Sequence, residues 1–490
     1  MDGSVRLRLQ IRSCRNPGCP RHRACLRPEQ EGRFALPQHE FGLDVIAAVG
    51  RLRHAEHRSV PEIHAELARR GVPICARSVA NLLDRYDELL ALSCTDVSRL
   101  RRITAQAGRV ILAIDGLQPD VGHEVLWVLR DVLSGEVLLA RSLLSSTQGD
   151  LAKLIGEVEE ALPVPIVGVV SDGQTSIRNA VKAALDGVPH QLCHFHYLRE
   201  AATPVYEADR HIKVQLKKKV RGIRPIERKV EGREDDEAVA IRGYCAAVRS
   251  ALTDDGRPPL DAAGLKLQGR LAEVAASLDR VGAKKGLPKE LTRLRAILGK
   301  GLEATEASWP DVLTAFGWVH RAAAILRNKK GLDAAGVKRR YRGLIAAIAR
   351  HRRAAGHLAE AFAHFLKVTR SYWPGLFRCY EVEGLPRTNN DLEQFFGSYR
   401  YHERRCSGRK VACPGTVVRG SVRLVAAAAT RLRPIEASDL VPSDRKAWHE
   451  LRGTLERRRA VRTLGRRFRR DPRTYLRSLE DSLIKQALPP

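Results

Sequence analysis

The chain has 490 residues, 44% of them hydrophobic, with 85 lysines and arginines against 56 acidic residues and a formal charge of +29. That length leaves room for about three domains, and the lack of any run of roughly eighteen apolar residues excludes a helix that spans a membrane. The basic excess is spread along the whole chain, which points to a polyanionic partner rather than a small neutral substrate; a basic structural or ribosome-associated protein is the duller alternative.

The elements follow in chain order. Residues 1–35 are polar and hold Cys14, Cys19, His22 and Cys25, a C-x4-C-x2-H-x2-C spacing. Four soft donors in so short a loop suit one tetrahedral Zn²⁺, although the spacing is not that of a standard finger and unliganded thiols are the other reading. Ten cysteines, otherwise scattered, fit a reducing compartment better than a disulfide framework. MDGSVRLRLQIRSC lacks the apolar centre of a signal peptide, and the Arg- and Ala-rich composition resembles that of a GC-rich bacterial genome. The expected setting is the bacterial cytoplasm, on the nucleoid.

Residues 36–95 read as helical. Val60, Ile63 and Leu67, then Val79, Leu82 and Leu83, recur at helical spacing, and Arg70-Gly71-Val72-Pro73 between them is a helix stop followed by a turn. This is a helix–turn–helix candidate. Its second helix would present Arg77, Ser78, Asn81 and Arg85 to a major groove; an ordinary helical hairpin is the alternative.

The period changes over 105–205. GRVILAIDG reads as a buried strand, and EVLWVLRDVLSGEVLLARSL as two more strands around a turn at Leu133–Glu136. A helix is expected near Asp150–Leu162, then a buried strand PIVGVVSDG, a helix TSIRNAVKAALDG, and a strand HQLCHFHYL that runs into a helix. That order, with parallel and antiparallel strands mixed, predicts an α/β fold of the RNase H-like kind. From 206 to 380 strand signals vanish and helices take over, which reads as an α-helical insertion. The segment 381–420 returns to the core, and 421–490 is basic and helical.

Three acids stand in settings suited to metal. Asp115 and Asp172 each end an apolar β-type run, in Ile-Asp-Gly and Ser-Asp-Gly. Asp-Gly is a common turn dipeptide, yet its repetition at two strand ends would let neighbouring strands converge their carboxylates. Glu393, in TNNDLEQFFGSYR, sits at a helix start; there Asn390 and Glu393 also satisfy the pattern of a capping box, and Asp391 is the fallback ligand. Arg400, His402, Arg404, Arg405, Arg409 and Lys410 crowd beyond it, where a phosphate would be clamped. Such a triad suits two Mg²⁺ or Mn²⁺ ions in phosphoryl transfer. Cys193 and His196 form a C-x-x-H, half a zinc set; a packed strand cysteine is the plainer reading. Lys217, Lys218 and Lys219, and the run Arg467–Arg470, are either solvated faces or followers of a DNA backbone. Trp309 and Trp318 in the insertion read as core residues.

Asp115, Asp172, the C-x-x-H of Cys193 and His196, and TNN-x-x-E ending at Glu393 together resemble the DDE-type transposases of bacterial insertion sequences, in particular the group related to the Mutator-like elements. In that group the third acid lies beyond a helical insertion; here Glu393 follows Asp172 by 221 positions (393 − 172). The likeness covers roughly residues 108–410 and rests on the order of short motifs. It implies Asp115, Asp172 and Glu393 as the metal-binding triad and a supporting role for Cys193 and His196. The implied partner is double-stranded DNA, both element ends and target, with at least two copies of the chain joining two ends. A nuclease without strand transfer and a DNA-binding regulator are the rival expectations.

Overall fold

A computed structural model describes residues 8–28, 30–37, 39–119, 123–409, 414–442 and 444–487. The chain forms two compact units, one of Met1–His190 with Asn389–Pro490, the other of Gln191–Thr388.

The first unit opens with a small antiparallel ribbon of β1 (Arg12–Ser13) and β2 (Cys25–Leu26), then α1 (Glu31–Phe34), α2 (Leu43–His54), α3 (Val60–Arg69), α4 (Ala76–Cys94) and α5 (Val97–Ala107). A capping box between Ser59 and Glu62, with proline in the first turn, starts α3. Gly71, at φ +76°, ends it in the left-handed region that glycine tolerates best. Ile63, Leu67, Val79, Leu82 and Leu83 are buried, as their spacing predicts. The sheet follows: β3 (Val110–Leu117), β4 (Val125–Asp131), β5 (Val137–Leu143), β6 (Ile166–Ser171) and β7 (His190–Leu192), in spatial order β5-β4-β3-β6-β7. β4 pairs antiparallel with both β3 and β5, while β6 runs parallel to β3. Apolar side chains of α6 (Gln148–Ala161) and α7 (Thr175–Ala184), among them Leu154, Ile155 and Ile177, pack with Leu112, Ile114 and Val169 of the sheet. The expected mixed sheet with helices is thus present. HQLCHFHYL is a strand that runs into a helix, as expected: His190–Leu192 is strand, and Cys193 is the N-cap of the next helix rather than a strand residue.

The second unit is helical throughout its described length after β7: α8 (His194–Lys219), α9 (Ile223–Arg228), α10 (Asp236–Thr253), α11 (Ala263–Lys285), α12 (Lys289–Glu303), α13 (Trp309–Arg327), α14 (Ala334–His351) and α15 (Ala359–Tyr372), with short 3-10 turns between some of them. It has its own core, in which the Tyr197 hydroxyl bonds those of Tyr341 at 2.6 Å and Thr369 at 2.7 Å. Asp209 of α8 accepts from the Gly264 and Leu265 amides at 2.7 and 3.0 Å, capping α11 from across the unit. Trp309 is buried, and Trp318 packs edge-on against Phe362. The insertion was expected over 206–380. The unit starts earlier, at Gln191, because α8 is one continuous helix whose Leu198, Val205, Ile212 and Leu216 all belong to this core, and it ends at Thr388.

Back in the first unit come α16 (Asn390–Ser407), α17 (Pro414–Leu432), α18 (Arg445–Arg470) and α19 (Pro472–Ala487). The expected boundary at 420/421 falls inside α17, which is no tail but a partner of α4. Tyr86 and Thr430 share a hydrogen bond of 2.7 Å. Around it lies a lattice of buried ion pairs: Arg419 with Glu88 at 2.9 Å and Asp84 at 3.1 Å, Arg423 with Asp87 at 3.1 Å and Glu403 at 3.5 Å, Arg53 with Glu403 at 2.7 Å, and His54 with Asp87 at 2.8 Å. Burial opposes the charge on Asp87 and Glu403, but the surrounding cations outweigh it and hold both carboxyls below their usual range. Among the described residues, no helix is long and apolar enough to cross a membrane.

Candidate active site

Strand register places the first two acids. Ala113 of β3 lies opposite Val170 of parallel β6. Asp115 lies two residues beyond Ala113 in β3, and Asp172 directly follows the last residue of β6, so both acids sit toward the same end of adjacent parallel strands. Asp115–Gly116 is not a turn: both residues stay in β3, with Gly116 opposite Trp127 of β4. A side chain at Gly116 would meet Val125 Cγ1 at 3.0 Å, and the Gly116 amide donates to Asp115 Oδ1 at 2.8 Å. At Asp172 the turn reading does hold, since β6 ends at Ser171 and Asp172 Oδ1 accepts from the Gln174 amide at 2.9 Å. Ser171 Oγ donates to the Asp172 carbonyl at 2.9 Å and meets His190 Nε2 at 2.8 Å. Burial, with Arg178 adding to it, lowers His190 to about 4, so the ring stays neutral.

Glu393 occupies the first turn of α16. The expected capping box at Asn390 is absent: Asn390 is already helical, and the N-cap is Asn389 with no side-chain capping bond. Asn389 is buried, and its Nδ2 donates to the Ile114 carbonyl at 3.2 Å, tying the head of α16 to the residue before Asp115. Sequence reading missed this residue because an Asn-Asn pair at a helix start looks like capping alone.

The three acids are close enough to feel one another. Burial pushes Asp115 up to about 7, and the charges of Asp172 and Glu393 add to the rise, against the Gly116 amide and Arg400. Ionised together, these carboxylates repel, and a hard divalent cation would relieve the repulsion with the oxygen ligands it prefers. Oxygen donors of this kind are those Mg²⁺ and Mn²⁺ take; among the described residues the three acids do not close to the spacing of a single metal site. Asn389→Ala is expected to cost about 0.5–1.5 kcal/mol, the usual net worth of one hydrogen bond, by releasing the head of α16 from β3. Chemical denaturation reads that loss, and an unchanged stability would remove the pinning role.

The remaining residues divide by place. Arg400 is exposed and donates to the Gln118 carbonyl at 3.3 Å. Arg404 and Arg409 are exposed, and Arg405 donates to the His57 carbonyl at 2.6 Å; Lys410 lies outside the described residues. On α4, Arg77 and Asn81 are exposed and Ser78 is half-buried. Arg85 is a correction: it turns inward to Glu88 at 2.6 Å and lies over the Trp448 ring, because the buried Glu88 draws it. In the second unit, Cys193 is buried and His196 half-buried at the head of α8. Lys218 and Lys219 are exposed at its foot, and Lys217 lies 3.7 Å from Asp255. The N-terminal donors share one ribbon: Ser13 pairs with Cys25, Cys14 bridges His22, and the Arg21 amide donates to Cys19 Sγ at 3.4 Å. Donors of these kinds suit zinc. No family model matches this chain, and a search of curated proteins returns no match.

Proposed function

We propose that the chain is a DDE-type DNA transposase with an RNase H-like core. What supports this reading is one observation: Asp115 and Asp172 lie toward the same end of adjacent parallel strands, and the charges of Asp172 and Glu393 both act on the Asp115 carboxyl. These three carboxylates would hold two divalent cations, which when bound stabilise both the entering and the leaving oxygen of an in-line displacement at phosphorus. Asn389 holds Glu393's helix against β3, and Arg400 brings positive charge beside the acids. Water first displaces the 3′ oxygen of a phosphodiester at the element end. The freed 3′-OH then attacks a target phosphodiester, the same displacement with a new nucleophile. Joining two ends calls for at least two copies on DNA, and the expected place of action is the bacterial nucleoid. The N-terminal ribbon, with zinc as its cofactor, and α3–α4 would select the ends.

The test uses purified protein, Mg²⁺, and labelled duplexes taken from the DNA flanking its gene. Wild type should release 3′-OH ends and form joined products. Asp115→Ala, Asp172→Ala and Glu393→Ala should each lose about 10³-fold or more of cleavage, several kcal/mol of charge stabilisation, and still bind. Cleavage without joining would leave a nuclease. Binding that is specific but never followed by cleavage would leave a regulator.

A further inference from the structure

Away from the acids, the first unit contains a second concentration of charge. A groove of about 550 Å³ runs between the start of α3, the foot of α16, α17 and α18. Among the described residues, seven arginines line it, Arg53 and Arg409 among them, against one lining acid, Asp84. The floor is neutralised: Arg53, Arg419 and Arg423 are held by Glu403, Glu88 and Asp87 from behind. Fixed in that lattice, the floor guanidiniums are preorganised and spend little conformational entropy on a ligand. The rim differs. Arg409 and Arg466 are exposed, and Arg459 is 51% exposed beside Asp84.

The rim also has a period. Arg459, Arg462 and Arg466 stand at i, i+3 and i+7 on α18, one face of a helix. Seven residues of helix span about 10.5 Å, and a DNA strand presents one phosphate per roughly 3.4 Å of duplex axis. A helix aligned with the duplex axis therefore covers the axial rise of about three phosphates with three arginines. Among the described residues no aromatic side chain lines the groove to stack a base; its apolar members are the aliphatic Val60, Pro61, Ala80, Leu83 and Val418, with Cys406. That argues for a phosphate-reading surface rather than a base-reading one.

We infer that this groove grips the sugar–phosphate backbone of duplex DNA, at a distance from the cut. The inference rests on the proposed DNA-cutting role and adds a geometry to it. Glu393 and Ser407 lie at opposite ends of α16, fourteen residues or about 21 Å apart. At about 3.4 Å per base pair, α16 spaces the grip roughly six base pairs from the acids.

The experiment measures binding of a random-sequence 30-base-pair duplex (roughly three helical turns) by fluorescence anisotropy over a salt series, with the full-length protein. In Arg409→Ala/Arg459→Ala/Arg466→Ala, the slope of log K against log salt should fall by about 0.9 for each lost phosphate contact, close to 2.7 in total. The corresponding triple lysine variant should restore most of the slope, which separates lost charge from lost folding. A wild-type slope in the alanine variant would overturn the groove, as would tighter binding of RNA than of duplex DNA of equal length. Asp115→Ala serves as the reference. If it and wild type share a slope that the triple variant loses, yet wild type never cuts, the groove stands and the transposase reading falls. If wild type cuts and the triple variant keeps the full slope, the groove falls and the transposase reading stands.

Discussion

Asp115→Asn is expected to abolish DNA cleavage and, in the metal-free protein at pH 8, to make the fold more stable. Burial and the charges of Asp172 and Glu393 raise the Asp115 carboxyl to about 7, whereas an unfolded aspartate titrates near ~3.9. The folded state thus binds this proton more tightly than the unfolded one. Its contribution to stability is fully present below about pH 4, fades as pH rises, and is gone above about pH 7. Asparagine keeps the shape and carries no charge, so it escapes the penalty. A shift of this size corresponds to a gain on the order of 2–4 kcal/mol at pH 8, read as several degrees in thermal unfolding, with no gain at pH 4. Mg²⁺ at millimolar levels should stabilise wild type by mass action and the variant much less. Equal melting of the two proteins at pH 8 without metal would show that the acids do not repel as their placement requires. The same electrostatic tension that costs stability without metal is what would draw a doubly charged ion to the three acids under the proposed function.

That tension was partly legible in the sequence. Apolar β-type runs end at Asp115 and Asp172, and period-two alternation with equal strand offsets brings such residues to one face once the strands are neighbours. The helical insertion was legible too, because strand signals vanish after about residue 205 in favour of helical periodicity. Long-range polar pairing was not. Arg85 looks like a groove-facing residue on a polar helix face, and only the burial of Glu88 and Trp448 shows why it turns inward. Asn389 looks like a helix cap until its amide is found on the Ile114 carbonyl, 275 positions away. Asp84, Asp87 and Glu88 look like a solvated face of α4. Their partners Arg419 and Arg423 lie more than 330 positions away, and no periodicity in either helix predicts that two charged faces will be buried against each other. Apolar patterning reports which face is inside; it carries no information on which charges meet there.

Glu403→Ala is expected to be the most destabilising single change in the first unit. Glu403 is buried on α16, and its two oxygens serve Arg53 at 2.7 Å and Arg423 at 3.5 Å. Removing it leaves Arg423 to Asp87 and Asp84, and takes from the buried Arg53 its carboxylate, leaving it the Arg58 carbonyl at 3.4 Å; breaking one partner of such a set costs about 3–5 kcal/mol. Chemical denaturation should show that loss. Glu403→Gln, which keeps a hydrogen-bond acceptor, should fall between, and a loss under about 1 kcal/mol in the alanine variant would show that the lattice is solvated. Because Asp87 and Glu403 are held below the ordinary carboxylate range, their stabilisation is present above the unfolded pKa of about 4 and disappears as pH falls through their lower folded values. Wild type should therefore lose more stability than Glu403→Ala between pH 5 and roughly pH 2. Cleavage should fall as well, though Glu403 stands about 15 Å along α16 from Glu393. The lattice clamps α16 at its foot while Asn389 pins its head, and a helix released at one end no longer delivers its first-turn carboxylate to a fixed point beside β3. If Glu403→Ala cleaves normally in whatever fraction remains folded, Asn389 alone sets the position of Glu393.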